Sequence, residues 1–180
     1  MKATGIVRRI DDLGRVVIPK EIRRTMRIRE GEPLEIYTDK GGEVIFKKYS
    51  PIGEVGMFTA QYAESITKSS GLAVAICDKD SIVAISGAPK KDYLERPVSP
   101  ALSELMEKRQ NYASDTNSLS APRITENSEG TISYFSPIVA DGTVVGGVMS
   151  IKQDDSKTPD ETEKKLISTG AIFLSKQIEF

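Results

Sequence analysis

Thr4-Gly5-Ile6-Val7-Arg8-Arg9-Ile10-Asp11-Asp12-Leu13-Gly14-Arg15-Val16-Val17-Ile18-Pro19 is the stretch that organises the reading of the whole chain. Apolar residues alternate loosely before Asp11-Asp12-Leu13-Gly14-Arg15 and return directly after it, a pattern that predicts strand, tight turn, strand. Gly14 supplies the turn. Pro19 has no N–H to give to a ladder, so it closes the second strand and suits the first turn of a helix. That helix is predicted from about Lys20 to Met26, with Ile22 and Met26 on one face and Arg23, Arg24 and Arg27 at its sides and back. Leu34 to Tyr37 and Glu43 to Lys48, joined through the turn cluster Thr38 to Gly42, predict a second hairpin.

Charge separates this region from the remainder. Between Lys2 and Arg29 nine Lys or Arg stand against three acids, an excess of +6 in a chain of net charge −1. The first fifty residues carry +4 and residues 51–180 carry −5. Two halves of opposite sign predict two domains with different partners, and the basic one points to nucleic acid. The expected boundaries are 1–50, a linker at 51–55, and 56–180. Fifty residues make a poor core alone. The single cysteine, Cys77, lies outside them, so oligomerisation is the expected stabiliser. One cysteine fits a reducing compartment, and with neither a long apolar run nor a basic-then-apolar leader the expected location is the cytoplasm.

After the linker, Val55, Phe58, Tyr62 and Ile66 mark a helical stripe ending near Gly71. Leu72 to Cys77 and Ser81 to Ser86 predict a hairpin through Asp78-Lys79-Asp80. A helix is predicted from Ser99 to about Gln110. Asn111 to Thr131 is polar with little regular pattern, which predicts a binding-site lid or disorder. Ser133 to Val139 and Val144 to Ile151 flank an Asp141-Gly142 turn. Thr158-Pro159-Asp160-Glu161 predicts a capped helix with its cap at Thr158. Its apolar residues fall on two arcs, Leu166, Gly170 and Phe173 on one and Ile167, Ala171, Leu174 and Ile178 on the other. A sheet needs one arc, so the second predicts a helix-mediated contact with another chain through Phe58, Tyr62, Ile66, Ile167, Leu174 and Ile178.

The chain has no histidine, which removes the commonest general base and zinc ligand. No phosphate-binding glycine loop and no paired Cys-x-x-Cys occur. Gly146-Gly147 reads as a bulge, Asp78 and Asp80 as turn residues, and Cys77 as a small core hydrophobe. No catalytic constellation, cofactor or metal is expected. Arg8, Arg9, Arg15, Arg23, Arg24 and Arg27 are the candidate DNA-binding residues, because guanidinium forks pair bidentately with phosphates and guanine edges.

The run Thr4 to Arg24 resembles, without a gap, the swapped-hairpin DNA-binding domain of AbrB-type transition-state regulators. The resemblance implies an interleaved homodimer in which each chain donates strands to the other, and it implies DNA contact by Arg8, Arg15, Arg23 and Arg24. The order of elements after Gly53 resembles a GAF domain. Together these imply an α+β chain: an N-terminal swapped-hairpin β-barrel dimer, then an α/β GAF domain with an antiparallel sheet and flanking helices. They also imply a regulator of late, forespore-specific sporulation genes, both activator and repressor, which assembles as a tetramer through GAF helices, lies at the nucleoid and has an unidentified small-molecule effector as a possible partner. The alternative is an antitoxin, since similar hairpins occur in toxin–antitoxin pairs.

Overall fold

The computed structural model describes residues 4–116 and 121–178. The chain divides into two compact units, residues 1–49 and 50–180.

In the first unit the predicted turn forms. The Gly14 N–H donates to the Asp11 carbonyl and the Asp11 N–H to the Arg15 carbonyl, both at 3.0 Å, and Gly14 takes the left-handed conformation at φ +75° that a three-residue hairpin loop requires at this position. The arms do not form the expected strands: residues 4–10 and 15–19 make no ladder within the chain. A two-stranded ribbon with nothing to bury its apolar side is marginal in water, and no third element of this unit covers it. Helix α1 (Lys20–Thr25) follows Pro19, and β1 (Leu34–Thr38) pairs antiparallel with β2 (Val44–Lys48). Pro19 is the one buried residue of the unit among those described. Val7 is 90% exposed, and Ile10, Leu13, Val17, Ile36 and Val44 are also largely exposed.

The second unit begins with α2 (Pro51–Glu54) and α3 (Gly56–Ser70). The segment expected as a linker is thus a helix. Ser50 caps it, its Oγ accepting from the Gly53 N–H at 3.1 Å and donating to the Asp78 carboxylate at 2.9 Å, and Ile52 is fully buried. Strands β3 (Val74–Asp78) and β4 (Ile82–Ser86), helices α4 (Lys90–Tyr93) and α5 (Pro100–Lys108), strands β5 (Tyr112–Ala113), β6 (Ile132–Ala140) and β7 (Thr143–Ile151), and helix α6 (Glu161–Ile178) complete it. The antiparallel sheet has the order β4-β3-β7-β6-β5.

Alternation along the strands builds one core on each face of the sheet. Val74, Ile76, Tyr134, Ile138 and Val148 pack with Ile52, Ile66, Ile167 and Leu174 from the helices α2, α3 and α6. Ala75, Cys77, Phe135 and Met149 pack with Leu102, Leu105 and Met106 of α5, and with Ile124. The bulge read at Gly146-Gly147 lies beside Gly146, where Ile138 pairs with Gly146 and Val139 with Val144. A methyl group on Gly146 would collide with the Cys77 carbonyl and Ile52.

Two further expectations change. In the segment 111–131, of which residues 117–120 lie outside the described residues, the rest is neither lid nor disordered. Tyr112 and Ala113 pair with β6, Ser99 Oγ donates to the Arg123 carbonyl at 2.6 Å, and Ile124 is fully buried. The α6 cap is Asp160 instead of Thr158: its Oδ1 accepts from the Glu163 N–H at 2.7 Å. Asp160 offers a second capping frame, and the Glu163 carboxylate that would answer it binds Ser150 Oγ on β7 instead. Among the described residues no helix is long and apolar enough to cross a membrane.

Candidate nucleic-acid interface

Arg15, at the exit of the turn, is held by Asp11. The carboxylate binds it twice: Oδ1 accepts from the Arg15 N–H at 2.7 Å and Oδ2 from Nε at 2.8 Å. Oδ1 also accepts from the Leu13 N–H at 3.1 Å. The Arg15 backbone and guanidinium bonds hold the Asp11 carboxyl below its ordinary value, since bonds to the charged form favour it.

Pro19 then starts α1 at φ −56°. The helix ends in a Schellman turn, with the Ile28 N–H donating to the Arg23 carbonyl at 2.7 Å and the Arg27 N–H to the Arg24 carbonyl at 3.2 Å. Arg27 takes the left-handed position at φ 54°, where glycine is the usual residue.

Arg8, Arg9, Arg15, Arg24 and Arg27 are exposed, whereas Arg23 is half-buried. Among the described residues Arg15 is the one member of this set paired with an acid. The Arg23 Nε is buried without a partner. Among the described residues no side-chain hydrogen bond joins these arginines to one another. Arg8, Arg9, Arg24 and Arg27 have free N–H forks of the kind that pair with phosphate, and Arg15 has its Nε–H engaged by Asp11. Sequence reading overlooked Asp11 as the partner of Arg15; an acid four residues before the arginine, across a Gly turn, was the available signal.

The residues expected at a helix-mediated contact separate into two sets. Ile66, Ile167 and Leu174 are buried in the core, because the Ile167, Ala171 and Leu174 arc of α6 faces the sheet. Their assignment to a contact between chains is corrected accordingly. The other arc meets α3 of the same chain. Tyr62 donates to the Leu166 carbonyl at 2.7 Å, stacks on Phe173 with ring centroids 5.9 Å apart, and lies over Gly170, where a methyl group would collide with its ring. Ile178 is half-buried, and Phe58 is exposed together with Met57, Ile172 and Phe173.

Residues 54–179 match the family described as stage V sporulation protein T C-terminal, transcription factor. Residues 7–53 match the family described as antidote-toxin recognition MazE, bacterial antitoxin. The chain is 51% identical to the stage V sporulation protein T of Bacillus subtilis (strain 168), over 99% of both chains. It is 61% identical over 51 residues to the transition state regulatory protein AbrB of the same organism, covering 28% of this chain and 52% of that one. The second unit has the fold of the GAF domain of a phosphoenolpyruvate-protein phosphotransferase from Coxiella burnetii, with a TM-score of 0.50 at 17% identity, covering 69% of this chain and 82% of that one.

Proposed function

The chain belongs to the stage V sporulation protein T family and is a DNA-binding transcription regulator, and from that premise we propose that it controls late, forespore-specific sporulation genes as both activator and repressor. It acts in the forespore cytoplasm at the nucleoid and carries out no catalytic step. The observation that carries the reading is the composition of the first unit's surface. Arginines without acid partners lie on a unit whose apolar side chains are left in water.

A second copy accounts for both features. Residues 4–10 and 15–19 pair with the partner's strands in a swapped-hairpin dimer, burying Val7, Ile10, Val17 and Ile36, and two sets of arginines then face one duplex. The second unit joins such dimers into a tetramer through α3 and α6, using Phe58, Tyr62 and Ile178 of the expected residues together with Met57, Ile172 and Phe173. Two linked dimers raise avidity where their spacing matches the DNA. An effector beneath the segment 111–131 would have to displace Ile124 from the core.

The antitoxin reading draws on the match of residues 7–53. Against it, residues 50–180 form a folded domain with a core on each sheet face, unlike a short tail that wraps a toxin.

The test is titration of the full chain against a labelled duplex over a range of salt. If about six phosphates are neutralised, log affinity falls against log salt with a slope of about −5, and Arg15→Ala with Arg24→Ala abolishes the effect. A flat slope unchanged in that variant makes the arginines ordinary surface charge.

A further inference from the structure

We propose that Asp11 is a positioning residue for DNA recognition, acting through Arg15; the proposal rests on the DNA-binding reading above. An acid among arginines at a DNA-binding surface is at first sight a liability, since its charge repels the phosphates that the arginines attract. The geometry gives it a purpose. One carboxylate oxygen, Oδ1, is committed to the turn backbone through the N–H groups of Leu13 and Arg15. The other, Oδ2, takes the Arg15 Nε–H. The turn and the guanidinium are thereby fixed by one side chain, although the Arg15 side chain is 69% exposed.

Guanidinium carries five N–H donors in a rigid plane. With the Nε–H engaged by Asp11, the four on Nη1 and Nη2 remain, and these form the outward edge that grips a phosphate or the O6 and N7 of guanine bidentately. An arginine free in water must freeze its rotamers when it binds, and that ordering subtracts from affinity. Asp11 performs part of the ordering beforehand. It also restricts Arg15 to an end-on approach and so narrows the geometries in which the site accepts DNA.

Asp12 provides an internal control. It is adjacent and exposed, and among the described residues its side chain makes no hydrogen bond or ion pair. Neutralising either acid changes the charge equally. Simple electrostatics predicts tighter DNA binding from both Asp11→Asn and Asp12→Asn, whereas positioning predicts weaker binding from Asp11→Asn alone. Asn keeps an oxygen for the two backbone N–H groups, so the turn survives, but its amide N–H₂ faces the Arg15 Nε–H and cannot accept from it.

The experiment is anisotropy titration of the full chain with a labelled duplex at fixed salt. It compares wild type, Asp11→Asn, Asp12→Asn, Arg15→Ala and the Asp11→Asn, Arg15→Ala double variant. Asp11→Asn is expected to weaken binding about two- to tenfold, Asp12→Asn not to weaken it, and Asp11→Asn to have no further effect once Arg15 is Ala. Equal or tighter binding by Asp11→Asn overturns the proposal. An equal loss in the Arg15→Ala background also overturns it, because Asp11 would then act on the fold and not through Arg15. If the wild-type chain shows no salt-dependent binding, the DNA-binding reading itself fails, a result distinct from either of these.

Discussion

Arg27, Cys77 and Gly170 show how single residues divide between function and packing. Arg27 occupies the left-handed closing position of α1 at φ 54°, a conformation in which a side chain costs about 1 kcal/mol or more relative to glycine. On the function proposed above, an arginine at this position serves DNA binding and not stability. Arg27→Gly is therefore expected to raise the melting temperature and to weaken DNA binding in the same protein; if both rise together, Arg27 is no DNA contact. Burial pushes the Cys77 thiol far above its ordinary value, and the neighbouring Asp78 charge adds to the effect. Because the thiolate is the reactive form, an alkylating reagent at mildly alkaline pH should leave the native chain unlabelled and react after denaturation. Labelling of the native chain would contradict the packing described. Gly170 accommodates the Tyr62 ring, and Gly170→Ala should displace that ring from Phe173, read as a changed tyrosine environment in near-ultraviolet circular dichroism.

At the scale of elements, α2 makes the clearest stability prediction. Ile52 is fully buried against Gly146, and Ile52→Ala should cost about 2–5 kcal/mol in denaturant unfolding of the second unit. A loss under about 0.5 kcal/mol, the range of surface substitutions, would mean that α2 is not part of that core. Ile52 also marks what the sequence did not disclose. Ser50-Pro51-Ile52-Gly53 has linker composition, and its helix exists because Ser50 caps it and Gly146, nearly a hundred residues away, leaves space for Ile52. The hairpins β1–β2, β3–β4 and β6–β7 and the helices α3, α5 and α6 were legible because alternation and capping are local signals. The arms flanking Asp11 to Arg15 read as strands in the sequence but form none here, because among the described residues they have nothing to pair with. The two arcs of α6 were correctly seen, but the α3 surface that meets one of them is a tertiary fact, so Ile66, Ile167 and Leu174 were assigned outward. Of the candidate site, the arginines were readable from charge; the Asp11 clamp and the left-handed Arg27 depend on side-chain and backbone conformation that no local pattern displays.

At the scale of the whole molecule the two units differ in what they bury. Its second unit has two packed cores, and its first has one buried residue, Pro19, among those described. Met57 and Ile172 are the most exposed large apolar residues of the second unit's helices. Met57→Glu with Ile172→Glu should leave thermal stability of that unit within about 0.5 kcal/mol while halving the mass of a tetramer; an unchanged mass would place the contact elsewhere. On the function proposed above, a second copy completes the DNA-binding unit. Sedimentation equilibrium of the full chain, carried to nanomolar concentration, tests it most directly. Dimers or tetramers without a folded monomer are expected, because Val7, Ile10 and Val17 are exposed in the single chain. A stable monomer that still binds duplex DNA with a steep salt dependence would contradict it.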